Sequence, residues 1–310
     1  MALGYDGKLY ILAFDHRGSF QKKMFGIEGD PTPEQTETIA DAKHLIFEGL
    51  VKATEHGVDP HATGCLVDEQ FGAPKRIPQE AKERGLLLAM PVEKSGQNEF
   101  DFEYGDEFGE HIEQFDLDFS KVLVRYNPEG DADMNQRQSE RLKRLADWLH
   151  ERNRKFLFEL LVPAEPHQLE MVGGDEDRYD AALRPELMRR AITELQDYGI
   201  EADIWKIEGI DSQEDCERIS QTARRDGRDG VVCVVLGRGA DDAKVEHWLR
   251  TGAPVEGYAG FAIGRTIWWD ALKGFLEGDL ERDEATDQIA EKYLRFVQVY
   301  REAAREHATA

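Results

Sequence analysis

The sequence predicts an α/β fold: a single (β/α)8 TIM barrel with an extra C-terminal helix, occupying residues 1–310 as one domain. Two observations predict it. Eight short apolar segments recur along the chain, and most are followed by a longer segment with helical periodicity. No Pro- or Ser-rich linker divides the chain, and such barrels commonly occupy roughly 200 to 400 residues. An open, doubly wound sheet is the main alternative, because strand number alone does not prove closure.

The elements follow in order from these patterns. The apolar segments predict strands at 8–15, 62–68, 86–92, 121–126, 155–162, 203–209, 230–237 and 258–264. Helical periodicity predicts helices near 33–57, 76–84, 105–115, 133–152, 184–199, 212–226, 241–251 and 266–277, with a further amphipathic helix near 283–306. Asp211 and Ser212 are expected to cap the sixth helix, and Asp241 the seventh. The acidic segments 97–107 and 171–180 are expected to be strand-end loops.

Composition narrows the classes of partner. The formal net charge is −24, from 39 Lys and Arg against 63 Asp and Glu, so we expect neither nucleic acid nor membrane as a partner. Three cysteines without a CxxC pair, together with an amino terminus unlike a signal peptide, predict a cytoplasmic protein. No run of 18 apolar residues occurs. Because the net charge is strongly negative, an anionic substrate would need a local cluster of cations at its binding site.

Charged side chains gather at the ends of the predicted strands, where barrel enzymes have their active sites. These residues are Asp15, His16, Arg17, Asp68, Glu69, Glu93, Lys94, Lys121, Arg125, Glu159, Lys206, Glu208, Arg238 and Arg265. Their number is too large for an apolar core, so we expect a polar site at this end of the barrel.

Three of these residues predict a reaction type. Glu159 and Lys206 interrupt apolar strands, and buried charges are unfavourable unless paired. If their faces point inward, Lys121, Glu159 and Lys206 converge from three adjacent strands. A lysine attacks a carbonyl only as the free amine, and desolvation with a neighbouring cation lowers the pKa of such a lysine.

We therefore predict Lys206 as a Schiff-base nucleophile, Lys121 as its cationic neighbour and Glu159 as the proton-transfer group. A purely structural ion pair between Lys206 and Glu159 is the alternative.

Two glycine–arginine pairs predict a phosphate site. LGRGAD places Gly237, Arg238 and Gly239 after the seventh strand, and FAIGRTIWW places Gly264 and Arg265 after the eighth. Glycine permits close backbone approach, arginine supplies charge, and a helix start offers free N–H groups. Turn glycines beside arginines paired with surface acids would be the simpler explanation.

No metal and no cofactor is predicted. Of nine histidines only His16 stands at a strand end, which disfavours a zinc site. Asp15, Asp68 and Glu69 are an alternative set of magnesium ligands. His16 itself is expected to be a hydrogen-bonded structural residue, and Trp268 to pack against the barrel.

Seven stretches resemble the class I aldolases related to tagatose-1,6-bisphosphate aldolase and sulfofructose-phosphate aldolase. They are AFDHRGSF, LVDEQFG, PVEKSG, KVLVRYNP, FLFELL, IWKIEG and GFAIGRTIWW, in the family's order. The resemblance implies that Lys206 forms the Schiff base and that Glu159 transfers protons. It further implies that Lys121 and Asp15 support them, and that Arg265 with Gly264 belongs to the phosphate site.

AFDHRGSF resembles more closely the aldolase domain fused behind the 5-dehydro-2-deoxygluconokinase of inositol catabolism. That resemblance implies cleavage of 6-phospho-5-dehydro-2-deoxy-D-gluconate to dihydroxyacetone phosphate and malonate semialdehyde. The expected partner is thus a phosphorylated sugar or sugar acid. The predicted substrate- and phosphate-binding residues are Arg17, Asp68, Lys94, Arg125, Glu208, Gly237, Arg238, Gly264 and Arg265.

Several alternatives stay open at this point. They are an aldolase for another ketose phosphate, an isomerase or epimerase with Glu159 as base, and a non-catalytic sugar-phosphate sensor. The long final helix would suit either a homo-oligomer interface or a cover for the barrel floor.

Overall fold

The structure, a computed structural model, describes residues 2–308 and contains a closed barrel of eight parallel strands in chain order. The strands are β1 Leu9–Ala13, β2 Thr63–Leu66, β3 Leu87–Pro91, β4 Phe119–Arg125, β5 Lys155–Leu161, β6 Ile204–Glu208, β7 Val232–Leu236 and β8 Tyr258–Ile263. The ring closes where β8 pairs with β1, with Leu9 opposite Gly260. The predicted (β/α)8 barrel is confirmed, and the open-sheet alternative is wrong.

Thirteen α-helices accompany these strands within residues 2–308. They are α1 Gly18–Phe25, α2 Pro33–Glu55, α3 Glu69–Gly72, α4 Ile77–Glu83, α5 Phe108–Phe115, α6 Ala132–Glu151, α7 Pro166–Met171, α8 Glu176–Ala182, α9 Arg184–Asp197, α10 Gln213–Ala223, α11 Asp242–Gly252, α12 Arg265–Glu277 and α13 Arg282–Ala308. Short 3-10 turns lie at Pro60–Ala62, Ala73–Lys75 and Gly105–Glu107. None of the helices in this part of the chain is both long and apolar enough to cross a bilayer.

Nine helices match the predicted ones, and four short helices do not. The sequence patterns missed α1, α3, α7 and α8, which have at most eight residues each and so complete little more than two turns. The segment 171–180, expected to be a loop, runs into α8. Periodicity needs several turns to become visible, which explains these omissions.

Side-chain caps start several helices as the sequence indicated. Ser212 accepts a hydrogen bond from the backbone N–H of Asp215, and Asp241 accepts one from Lys244. Asp211 was also expected to cap α10, but Ser212 is the N-cap of this helix. The carboxylate of Asp211 instead accepts a hydrogen bond from the indole of Trp248 at 2.8 Å. These caps stand at the starts of α10 and α11, which both pack against β7.

The core has two layers, one inside the barrel and one between strands and helices. The inner layer consists of Leu9, Ile11, Ala13, Leu66, Ala89, Phe119, Leu157, Ile204, Val234, Ala259 and Ala262. Because successive strand residues point to opposite faces, Leu157 places Glu159 inside the barrel and Ile204 does the same for Lys206. Both charged side chains therefore stand above an apolar floor, at the carboxyl end of their strands.

The predicted extra helix α13 packs against α2, α11 and α12. The hydroxyl of Tyr293 donates to the backbone oxygen of Tyr10 at 2.8 Å, and that of Tyr300 donates to Tyr258 at 2.9 Å. Phe296 on the same helix is fully buried. The apolar face of α13 is thus used within this chain, beside β1 and β8.

Candidate active site

A cavity of about 670 Å³ lies at the carboxyl ends of the strands, within the size range of small-molecule sites. Twelve of the thirteen predicted site residues line it. They are Asp15, Arg17, Lys94, Lys121, Arg125, Glu159, Lys206, Glu208, Gly237, Arg238, Gly264 and Arg265. Asp68, the thirteenth, stands behind the cavity wall.

The centre of the cavity holds two buried lysines that share one carboxylate oxygen. Oε2 of Glu159 lies 3.0 Å from Nζ of Lys206 and 3.0 Å from Nζ of Lys121. The contact arises from strand register, because Glu159 on β5 pairs directly with Lys206 on β6. All three side chains are at least nine-tenths buried. The convergence expected from the sequence is therefore present.

Lys121 is surrounded by carboxylates. Its Nζ lies 2.9 Å from Oδ2 of Asp15 and 2.8 Å from Oε1 of Glu93, in addition to Glu159. Burial acts to lower the pKa of Lys121, but the charges of these three carboxylates outweigh it and raise that pKa well above its usual value. The charged form of Lys121 is thus favoured, and its ammonium group contacts three acids at once.

The same contacts act on the acids. Burial would raise the pKa of Asp15, yet the charge of Lys121, with smaller contributions from His16 in its protonated form and from Lys206, holds the pKa of that carboxyl well below its usual value. Burial likewise opposes ionisation of Glu159, and Lys121 and Lys206 lower its pKa below the ordinary value. Within the described residues, no group of three His, Cys, Asp or Glu side chains is arranged to hold a metal ion.

Glu93, one of the charged residues noted at the strand ends, is a buried member of this cluster for which no catalytic or binding role was predicted. Burial raises the pKa of Glu93 against the charges of Lys121 and Arg17, and its Oε2 atom has no hydrogen-bond partner within residues 2–308. The inward direction of Glu93 could have been predicted from the sequence. Alternate residues of a strand share a face, so Glu93 lies on the same inward face as Ala89, whereas Lys94 does not. Lys94 accordingly lies exposed at the cavity rim.

The start of α12 forms one wall of the cavity. A Cβ atom on Gly264 would lie 2.3 Å from the backbone oxygen of Ala13, so only glycine fits this close approach. Gly264 is the N-cap of α12 and provides no side-chain cap, which leaves the first N–H groups of the helix without a side-chain acceptor. Arg265, the first residue of α12, donates to the backbone oxygen of Arg238 at 3.0 Å.

Arg238 and Arg265 differ in the ion pairs that their guanidinium groups form. The guanidinium of Arg238 pairs with Asp180, and its Nε lies 3.1 Å from Oε1 of Glu208. Arg265 forms no ion pair with any residue in the described part of the chain. An anion entering this side of the cavity therefore finds an uncompensated charge on Arg265 and a neutralised one on Arg238.

Glu208 has a mainly structural set of contacts. Its Oε2 accepts from the backbone N–H of Val162 at 3.0 Å and lies 3.7 Å from the guanidinium of Arg184. Burial raises the pKa of Glu208, while Arg184 and Arg238 oppose that change. The carboxylate predicted to contact substrate thus ties β6 to the segment that follows β5.

A second group of cations lies across the barrel. Arg125 at the end of β4 donates to the backbone oxygen of Gln97 at 3.0 Å, and neither Arg125 nor Lys94 forms an ion pair within residues 2–308. Arg17 is more constrained, because its Nη1 lies 2.9 Å from Oε2 of Glu103. In a ring of eight strands β4 stands opposite β8, so Arg125 at the end of β4 lies across the cavity from Arg265 after β8.

Asp68 supports the site from outside it. Its carboxylate forms a buried ion pair with Lys43 and accepts from the backbone N–H of Phe71 at 2.9 Å, capping α3. Lys43 in turn donates to the backbone oxygens of Phe14 and His16 at 2.8 and 2.9 Å. Asp68 and Lys43 therefore hold the turn after β1, and the expected contact of Asp68 with substrate is corrected to this supporting role.

His16 and Trp268 meet in the same wall. Trp268 is fully buried and its indole donates to the backbone oxygen of Ala13 at 2.9 Å, which confirms its packing role. The imidazole of His16 meets the Trp268 ring edge to face, with centroids 5.8 Å apart. We expected a hydrogen-bonded His16, but its side chain forms no hydrogen bond within residues 2–308.

The chain matches a known protein family over nearly its whole length. A family model described as "Uncharacterized protein conserved in bacteria (DUF2090)" matches residues 5–304, nearly the whole length. The chain belongs to the DUF2090 family. Every cavity residue described above falls within the matched range.

The DUF2090 chain is also similar to characterised proteins. Tagatose 1,6-diphosphate aldolase 2 of Streptococcus pyogenes serotype M1 is 29% identical over 167 residues, covering 52% of this chain and 46% of that protein. Tagatose 1,6-diphosphate aldolase 1 of Streptococcus mutans serotype c is 26% identical over 217 residues, covering 66% and 58%. The match thus spans about half the length of these relatives.

A solved structure shares the fold. Fructose-bisphosphate aldolase from Plasmodium falciparum, solved in a ternary complex with TRAP and a small-molecule inhibitor, superposes with a TM-score of 0.67 at 14% identity. The superposition covers 95% of this chain and 91% of that one. At this identity the likeness concerns the barrel of the DUF2090 chain.

Proposed function

We propose that this chain is a class I aldolase that cleaves a phosphorylated keto-sugar or keto-sugar acid through a Schiff base on Lys206. The observation that carries the proposal is the buried contact of 3.0 Å between Nζ of Lys206 and Oε2 of Glu159. It lies in the cavity that Arg265 also lines. The similarity to the two tagatose 1,6-diphosphate aldolases supports the same class of reaction.

The first half of the reaction forms the imine. Nζ of Lys206, as the free amine, attacks the ketone carbon, and the carbonyl oxygen takes a proton from solvent to become the hydroxyl of a carbinolamine. Glu159 lies at hydrogen-bond distance from this nitrogen, so it accepts the amine proton and returns it to the departing hydroxyl. Loss of water leaves a protonated imine, whose positive charge Glu159 offsets.

The second half breaks the carbon–carbon bond. A base removes the proton of the hydroxyl two carbons from the imine carbon, and the electron pair of the breaking bond flows into the imine nitrogen. The products of this step are an aldehyde and an enamine on Lys206. Protonation of the enamine carbon and addition of water release the ketone and restore the amine. Lys121 keeps Asp15 and Glu159 ionised and close to these steps.

The arrangement of cations supports a substrate with two anionic ends. Arg265 and the start of α12 suit a phosphate, and Arg125 and Lys94 suit a second anion across the barrel. The compound 6-phospho-5-dehydro-2-deoxy-D-gluconate meets this requirement, because its keto group adjoins the phosphate-bearing carbon and its carboxylate lies at the other end. We propose it as the substrate, with dihydroxyacetone phosphate and malonate semialdehyde as products.

Borohydride trapping tests the proposal. Protein incubated with dihydroxyacetone phosphate and borohydride is digested, and the modified lysine is located by mass spectrometry. We expect a stable adduct on Lys206 in the wild type and none in Lys206→Met. Lys143→Met is the matched control, since Lys143 is an exposed lysine paired with Asp147 on α6.

Several results would contradict the proposal. An unmodified Lys206 together with turnover abolished by a chelator would indicate a metal-dependent lyase. Isomerised substrate without a three-carbon product would indicate an isomerase. Ligand binding that is unchanged in Lys206→Met, with no turnover in the wild type, would indicate a sugar-phosphate sensor.

A further inference from the structure

His16 stands where the cavity meets the start of α12. Its Cε1 atom would lie 3.2 Å from a Cβ on Gly264, and its ring meets Trp268 on the first turn of α12. His16 also lines the cavity that contains Lys206 and Arg265. The imidazole therefore lies beside the positive end of a thirteen-residue helix, in the cavity that the amine of Lys206 and the uncompensated guanidinium of Arg265 also line.

The surroundings of His16 favour the neutral form of its imidazole. Burial lowers the pKa of His16 to about 4; Asp15 opposes the shift, while Arg265, Lys43 and Lys206 add to it. A neutral imidazole carries one hydrogen, which sits on one of its two nitrogens. At neutral pH His16 thus offers a hydrogen-bond donor without adding charge.

The surroundings select the nitrogen that donates. Nδ1 is buried and has no hydrogen-bond partner within residues 2–308. A hydrogen on Nδ1 would be a buried donor without an acceptor, whereas a hydrogen on Nε2 points away from that enclosed position. Nε2 is consequently the nitrogen that can reach a ligand in the cavity.

We propose that His16 donates a hydrogen bond from Nε2 to the phosphate group of the substrate and so selects phosphorylated ketones over unphosphorylated ones. The inference rests on the proposed aldolase function and adds a specificity-determining residue to it. Three contributions then meet at the anion: the charge of Arg265, the free N–H groups of α12 and the neutral donor of His16.

The geometry separates this task from the chemistry at Lys206. Glu159, Lys121 and Asp15 are joined by contacts of 2.9 to 3.0 Å around the reactive amine. His16 forms no hydrogen bond with any of them. Removing its Nε2 donor should therefore weaken the hold on a phosphate and leave imine formation with a neutral ketone intact.

Two substitutions at one position test the role. In His16→Gln the side-chain amide nitrogen occupies nearly the place of Nε2, whereas in His16→Asn it falls near that of Nδ1. For each protein, borohydride labelling of Lys206 is measured against the concentration of dihydroxyacetone phosphate and, separately, of dihydroxyacetone. Binding of inorganic phosphate is measured by calorimetry, which does not depend on lysine chemistry.

We expect His16→Asn to weaken half-saturation by dihydroxyacetone phosphate and binding of inorganic phosphate about 10- to 100-fold, the range for one hydrogen bond to a charged group. His16→Gln should stay near the wild type. Labelling with dihydroxyacetone should be the same in all three proteins, which also reports that the variants are folded.

Equal weakening with both ketones, or unchanged phosphate binding in His16→Asn, would overturn the role of His16. A wild type whose Lys206 is never labelled would refute the aldolase proposal instead, and the phosphate measurements would still decide whether His16 holds the anion.

Discussion

Replacing Lys121 by Met removes the cation that three buried carboxylates share, and the effect on stability follows from the contacts. Glu159 keeps Lys206 at 3.0 Å, and Glu93 keeps Arg17 at 3.6 Å. Asp15 loses the single ion pair that it forms within residues 2–308. The substitution therefore leaves one buried carboxylate, that of Asp15, without an ion pair. This should lower the free energy of unfolding by about 3–5 kcal/mol at neutral pH.

The pH dependence of this loss has a definite sign. In the wild type the pKa of Asp15 is lowered, so its contribution to stability is present above the unfolded pKa near 4 and lost as the pH falls. In Lys121→Met burial acts without the cation and raises the pKa of Asp15, so the penalty grows as the pH rises. The difference between the two proteins should be largest near pH 8 and should shrink toward pH 4.

Urea titrations at pH 5 and pH 8, followed by circular dichroism, measure this difference. Lys143→Met is the control, because its exposed pair with Asp147 on one helix contributes less than about 0.5 kcal/mol. A loss in Lys121→Met that is equal at both pH values, or no larger than that of the control, would refute the account of Lys121 as the cation that keeps Asp15 ionised.

Two further predictions concern activity. Glu159→Gln should lower kcat by about 100- to 10,000-fold, because the amide cannot take the proton from Lys206. The inhibition constant of dihydroxyacetone phosphate should change little. A kcat within tenfold of the wild type in steady-state assays would contradict the proton-transfer role of Glu159. Gly264→Ala should destabilise the chain by about 1–3 kcal/mol and weaken phosphate binding, because the methyl group meets the backbone oxygen of Ala13. Gly18→Ala has room and should leave thermal unfolding unchanged, so equal melting temperatures for all three proteins would count against the close-approach argument.

The features that follow from strict periodicity were predictable from the sequence. All eight strands were recovered, because parallel strands buried on both faces form continuous apolar runs. Glu159 and Lys206 were conspicuous for the same reason, since each is a charge inside such a run. Their inward direction and their contact then followed from barrel geometry.

The partners of these residues were not predictable, because they depend on distances across the barrel. Lys43 belongs to an ordinary amphipathic helix pattern, and nothing local indicates that it reaches Asp68 and draws that carboxylate away from the cavity. Arg238 looked equivalent to Arg265, but Asp180 from the unpredicted helix α8 neutralises it. Ion pairs between distant segments have no sequence period and appear only with the fold.

The packing of α13 against α2 has a consequence for biosynthesis. Helix α2 carries Lys43, which holds the Asp15–Arg17 turn, and β1 needs β8 at its open edge. During translation β1 and α2 leave the ribosome long before β8 and α13, so a sheet edge and an apolar helix face wait without their partners. We therefore expect the nascent chain to be more prone to aggregation in that interval than after β8 and α13 have been made.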